Sequence, residues 1–125
     1  MNLQDVFDYC SGKRYAYTDQ PFGFDSMLFK VASHYFCILY ELKGREAISV
    51  KCTPQEGEML RDKYAPWVVR GYHCPPAQQP YNNTIYLDGN MEDAEIYRMI
   101  DRSYDLVLSK LTRKERIKYN IDGER

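Results

Sequence analysis

MLFKVASHYFCILYELKGREAISVKC, residues 27–52, is the stretch that decides the fold. In Met27–Val31, the side chains of Met27, Phe29 and Val31 alternate with Leu28 and Lys30, the period of two expected of a strand. Ala32-Ser33 leaves room for a tight turn. His34–Leu42 is apolar on both sides, with Tyr35, Cys37 and Leu39 against Phe36, Ile38 and Tyr40, which predicts a central strand. Lys43-Gly44-Arg45-Glu46 then turns the chain into a third strand, Ala47–Cys52. There Ile48, Val50 and Cys52 are predicted to face inward and Ala47, Ser49 and Lys51 outward. Strands joined so closely can only pair antiparallel, so the stretch is a meander.

Helical signals flank the meander. A short helix beginning at Asn2 or Gln4 carries Leu3, Val6, Phe7 and Cys10 on one face and ends at Ser11-Gly12. The segment from Lys13 to Asp25 reads as a loop, with a turn at Pro21-Phe22-Gly23. Thr53-Pro54-Gln55-Glu56 is a helix start, with Thr53 as cap, Pro54 in the first turn and Glu56 placed for a capping box. That helix is expected to bury Met59, Leu60 and Tyr64 and to stop at Pro66. Val68–Tyr72 and Ile85–Leu87 read as two further strands. A long last helix follows, capped by Asn90, with Ile96, Ile100, Tyr104, Val107 and Leu111 as its core stripe. The expected order is α-β-β-β-α-β-β-α, a two-layer α+β domain with helices on one face of an antiparallel sheet. One domain is expected over residues 1–118, with 119–125 a frayed tail.

Composition excludes several function classes. The 125 residues suit a single core, and 17 basic against 18 acidic side chains leave a net charge of −1. A strongly electrostatic nucleic-acid or membrane binder would carry a basic excess, so any such role needs a local patch. No apolar run approaches the ~20 residues of a membrane span. The four cysteines, Cys10, Cys37, Cys52 and Cys74, lack the spacing of a zinc site. With no basic and apolar leader at the start, the expectation is a cytoplasmic protein with reduced thiols, without metal or cofactor.

Chemistry-bearing residues concentrate in Pro66–Gly89, PWVVRGYHCPPAQQPYNNTIYLDG. His73 can bind, donate or titrate near neutrality, or it can simply anchor the loop through hydrogen bonds. Cys74 follows it, but neighbouring side chains on an extended chain point to opposite sides, which predicts an inert thiol. Of the twelve tyrosines, Tyr35, Tyr40, Tyr64 and Tyr104 fall at core positions, whereas Tyr72, Tyr81 and Tyr86 are available for stacking. Asn82 and Asn83 can read base edges or satisfy turn backbone. Lys51, Arg70, Arg98, Arg102, Lys110, Arg113, Lys114 and Arg116 can combine into a phosphate-binding surface, or form a solvated face interleaved with Asp101, Asp105 and Glu115. No nucleophile and base are recognisable by spacing, so no enzymatic activity is expected.

Several short pieces, taken in order, resemble the MmcQ/YjbR family of small bacterial domains. They are Pro21-Phe22-Gly23, Leu28-Phe29-Lys30-Val31, Ile48-Ser49-Val50-Lys51-Cys52, Leu60-Arg61, Gly71-Tyr72-His73, Thr84-Ile85-Tyr86-Leu87-Asp88-Gly89 and Ser103-Tyr104-Asp105-Leu106-Val107 with Lys110-Leu111. The resemblance spans roughly Leu3 to Arg116. It implies a two-layer fold similar to that of type III secretion chaperones, and a DNA-binding role. On that reading Lys51, Arg70, Arg113 and Lys114 would meet phosphates, with Tyr72, His73, Tyr81 and Asn82 near bases. The resemblance stops at Cys74–Asn83, where a basic-aromatic family loop is replaced by a longer one rich in proline and glutamine. The alternative is a protein-interaction or chaperone-like module, which the same fold and the near-neutral charge also suit.

Overall fold

The computed structural model describes residues 1–20 and 26–121. The turn expected at Pro21–Gly23 and the chain end from Asp122 lie outside those residues. The described elements run α1 (Leu3–Ser11), β1 (Tyr17–Asp19), β2 (Met27–Val31), β3 (His34–Leu42), β4 (Arg45–Lys51), α2 (Pro54–Lys63), β5 (Val68–Arg70), β6 (Asn82–Tyr86), α3 (Asp93–Lys110) and α4 (Arg113–Lys118). A single 3₁₀ turn, Gln79–Tyr81, precedes β6. Six strands form one antiparallel sheet in the order β1-β2-β3-β4-β6-β5. α1 and α3 pack on the middle strands and α2 on β5 and β6. The protein is therefore the α+β fold expected, with two elements added to the predicted order.

The first addition is β1, inside the segment read as a loop. It pairs with β2 through Tyr17↔Lys30 and Asp19↔Leu28, and Lys30 Nζ lies 2.7 Å from Asp19 Oδ2. Three residues on an exposed edge bury too little to leave an alternating pattern. The second is α4. The chain breaks helix at Leu111, and Thr112 starts a new one with a reciprocal capping box to Glu115, at 3.1 and 3.0 Å. Arg113 and Lys114 thus begin a separate helix instead of ending a long one. Tyr119–Ile121, placed in a frayed tail by the sequence, turns at Asn120 and returns Ile121 to the core at 6% exposure.

The middle of the sheet also departs from strict alternation. Phe29 pairs with Cys37, but Lys30 pairs with Tyr35, so Phe36 is an extra residue, a β-bulge. The bulge moves Tyr35 to the face opposite Cys37 and Leu39, where sequence alternation had grouped all three. It also frees the Phe36 carbonyl, which accepts from Ser103 Oγ at 2.5 Å. The same hydroxyl accepts from the Lys51 N–H at 2.8 Å. One buried serine on α3 therefore satisfies two strand backbone groups that lack a ladder partner.

Beneath the helices, Phe29, Phe36, Ile48, Ile85, Ile96 and Ile100 are all at most 2% exposed. Burying each such side chain is worth roughly 1.5–3 kcal/mol. α2 does not bury Met59, which is 62% exposed. Its contact residue is Gly57, where a Cβ would come within 2.7 Å of Cys52 Sγ, so the helix backbone itself approaches the sheet. Thr53 caps α2 as expected, and the Glu56 carboxylate accepts from Arg102 Nε at 3.0 and 3.1 Å, tying α2 to α3. The cap of α3 is Glu92, not Asn90.

Candidate functional site

The face of the sheet away from the helices is polar, yet Ser49 (0% exposed) and Thr84 (3%) are buried there. Residues 71–81 fold over them. Gly71 permits this: a Cβ would lie 2.7 Å from Asn82 Cβ, and its N–H donates to the Asn82 carbonyl at 3.0 Å. The chain then turns, with the Cys74 N–H donating to the Gly71 carbonyl at 3.0 Å. His73 is carried back over the sheet, its Nδ1 3.4 Å from Ser49 Oγ and its ring 6.3 Å from that of Tyr40. Below it the hydroxyls of Tyr40, Ser49 and Thr84 are mutually bonded at 2.7, 3.0 and 3.1 Å.

That turn overrules the expectation that the Cys74 and His73 side chains point to opposite sides. Cys74 Sγ sits 3.2 Å from His73 Nε2 because the backbone is bent, not extended. Burial pushes the thiol up, against a hydrogen bond from Tyr35 and the charge of Lys51, and burial lowers His73. Both groups therefore rest neutral near pH 7, a hydrogen-bonded couple and not a thiolate–imidazolium pair.

Between the loop and the end of α3 lies a cleft of about 650 Å³, with His34, Lys51, Cys74, Tyr81, Asn82 and Lys110 among its lining. Tyr35 donates to Asn82 Oδ1 at 2.6 Å, and Asn82 Nδ2 donates to the Gln78 carbonyl at 3.1 Å, which holds the loop to β3. Lys51 Nζ lies 4.5 Å from the centre of the Tyr35 ring. Among the described residues neither Lys51 nor Lys110 has an ion-pair partner, and no carboxylate lines the cleft. Burial, and next the Lys110 ammonium, hold Lys51 below the ordinary lysine range. The cleft is thus electropositive in a protein whose net charge is −1.

Of the residues singled out in the sequence, Lys51, Tyr81 and Asn82 share this cleft, and His73 adjoins it through Cys74. Arg113 and Lys114 occupy the first turn of α4, which His34 Nε2 tethers at the cleft rim through Glu115 Oε2 at 2.5 Å. Arg70 does not join them. It pairs with Asn83, whose side chain donates to the Gly57 carbonyl on the helix side, so Arg70 lies across the sheet from Lys51. Tyr72 is 69% exposed, on the outside of the loop. Arg98 and Arg102 are engaged by Glu95 and Glu56. Asp88 forms a two-bond ion pair with Arg45, at 2.7 and 2.8 Å, that closes β4 against the turn after β6. Tyr35 and Tyr40, read as core positions, instead wall the polar face. The bulge at Phe36 that turns Tyr35 outward has no local sequence signature. Lys110, by contrast, is one of the basic residues visible in sequence.

The sheet, its single helical layer and its loop-covered polar face define a two-layer α+β domain. The sequence model of the YjbR family matches residues 12–106. The chain belongs to that family. It is similar to the protein YjbR of Escherichia coli K12, 28% identical over 116 residues, covering 93% of this chain and 95% of that one. YbdF of Escherichia coli O157:H7 is 26% identical over 95 residues, covering 76% and 75%. Among solved structures, the fold matches Deinococcus radiodurans protein DR2400, a DUF419 domain, with a TM-score of 0.82 at 23% identity over 97% of this chain and 89% of that one. A Pseudomonas syringae protein matches with a TM-score of 0.73 at 22% identity, over 85% and 98%.

Proposed function

We propose that the protein is a non-enzymatic DNA-binding domain that holds strand phosphates in the cleft between α3 and the loop 71–81. The observation that supports this most is the pair Lys51 and Lys110, which face one cleft with neither a counterion nor a lining carboxylate among the described residues. An uncompensated, partly buried ammonium is costly, and an entering phosphate removes that cost. Tyr81, 45% exposed at the mouth, offers a ring for a base to stack on. Arg113 and Lys114 extend the positive surface along α4. This agrees with the DNA-binding role that the family resemblance implies, but it moves the contact surface away from Arg70.

The test is fluorescence anisotropy with labelled single- and double-stranded DNA and RNA at about 50 and 200 mM salt. Two neutralised phosphates on a single strand predict a log–log salt slope of about −1.4, or about sevenfold weaker binding across that range. Four, with Arg113 and Lys114, predict about −2.8. Traces that stay flat at low salt overturn the reading.

A protein-interaction module is favoured by one other feature, an apolar groove of about 230 Å³ between α2 and α3. Val50, Leu60, Met99 and the exposed Met59 line it. That reading predicts a protein partner whose binding is lost in Met59→Glu. A partner that binds this variant as tightly as the wild type counts against it.

A further inference from the structure

We infer that the cleft seats a nucleoside monophosphate unit, its phosphate monoester between Lys51 and Lys110 and its base against Tyr81. This rests on the preceding reading only in assigning the cleft to phosphate. It names the unit that fits, carried either at a strand end or as a free nucleotide.

Charge is the first argument. A phosphodiester brings one negative charge, which leaves one of the two facing ammonium groups uncompensated. A phosphate monoester carries ≈ −1.5 to −2 at pH 7 and offers three acceptor oxygens, enough for both. The free groups are the second. Among the described residues, the side chains of Lys51, Lys110, Gln78 and Tyr81 have no hydrogen-bond partner, whereas Tyr35 and Asn82 are bonded to each other and to the loop. Three of the four free side chains are donors by nature, and the fourth presents a ring. The bonded pair forms a fixed wall.

Volume is the third. About 650 Å³ lies in the range of small-molecule sites, roughly 300–1,000 Å³, and Leu106 and Val107 supply apolar surface for a base or sugar. The half-buried Lys51 adds strength, since a charge-assisted bond gains where water is excluded.

The experiment compares an oligothymidylate of roughly twelve nucleotides carrying a 5′-phosphate, a 3′-phosphate or neither, together with thymidine monophosphate and thymidine. The strands are followed by anisotropy and the small probes by calorimetry. A terminal phosphate is expected to tighten binding by about tenfold or more. In Lys51→Met and in Lys110→Ala the ratio of phosphorylated to unphosphorylated affinity should collapse toward one, with circular dichroism confirming the fold. Lys110 is exposed at the end of α3, so its variant tests the site even if Lys51→Met fails to fold. Thymidine monophosphate binding well above thymidine, with no strand bound, would support the monoester site and remove the DNA-binding reading. Strands that bind equally with and without a terminal phosphate would leave DNA binding standing and overturn the monoester site, as would a ratio unchanged in both variants. If no probe binds, both fall.

Discussion

Lys51 sits at the boundary of two hollows that treat charge in opposite ways. In the groove between α2 and α3, Arg102 is held by Glu56 and Arg98 by Glu95, and the floor is apolar. In the cleft beside the loop, Lys51 and Lys110 both belong to a lining that holds no carboxylate. Both hollows use side chains from β4 and α3, so the element does not make the difference. The difference is where the carboxylates went. Exposed pairs such as Arg102–Glu56 contribute little to stability, about 0–1 kcal/mol, but they cancel the local field. Cations left without that cancellation are the ones able to act on a ligand.

The sharpest way to break this contrast is to reverse the charge on one side only. Lys51→Glu should weaken oligonucleotide binding by about 100-fold or more, since it removes an attraction and adds a repulsion. Glu56→Gln on the other side should change it by no more than about twofold. Equal effects in anisotropy would mean that the two hollows are not electrostatically distinct.

Ser103→Ala tests the backbone that presents Lys51. It would leave the Phe36 carbonyl and the Lys51 N–H without their partner, at a cost of about 1–3 kcal/mol. Urea denaturation reads that loss. A change below about 0.5 kcal/mol would show that the bulge does not depend on the serine.

Lys51→Met should do the reverse, raising stability by about 0.5–2 kcal/mol while binding is lost, the trade expected of a group kept for function. Lys110→Ala, at an exposed position, should stay within about 0.5 kcal/mol of wild type. A destabilised Lys51→Met would show that its contact with Tyr35 outweighs the cost of its burial.

The smallest expected effect is a pH dependence at His73. Burial lowers its folded-state pKa below the usual 6.5, so the unfolded chain binds the proton more readily. Its contribution to stability is therefore present above that range and lost as pH falls through 6.5 and below. The lowered carboxylates of Glu56, Glu95 and Glu115 act in a more acidic window, at and below 4.5. Urea midpoints at pH 7.5 and 5.5 should converge slightly less in wild type than in His73→Gln. Identical slopes would mean that the ring is solvated in both states.

Much of the fold was legible because its signals are local. Alternation marked β2 and β4, a run apolar on both sides marked β3, Thr53 marked the start of α2, and the spacing of Ile96, Ile100, Tyr104 and Val107 marked the buried side of α3. The start of α4 was missed: Thr112 and Glu115 are a capping pair three residues apart, but the apolar stripe running through to Leu111 reads as one long helix. Three features left no such trace. β1 is too short and exposed to show a period. The bulge at Phe36 shifts a strand's phase without any special residue, and α2 packs through Gly57, whose missing side chain gives no apolar signal.

For the candidate site, the sequence by itself determined the ingredients. It placed glycine, histidine, tyrosine and asparagine in one loop, marked Lys51 and Lys110 as cations, and carried the family motifs. Only the tertiary structure decided their grouping. It put Arg70 on the far side of the sheet, bent Cys74 back onto His73, turned Tyr35 to face Lys51, and left two lysines from distant parts of the chain without a carboxylate between them. The physical reason is range. Periodicity and capping act between residues a few positions apart, whereas the pairing of charges and the closing of a cleft depend on distances through space.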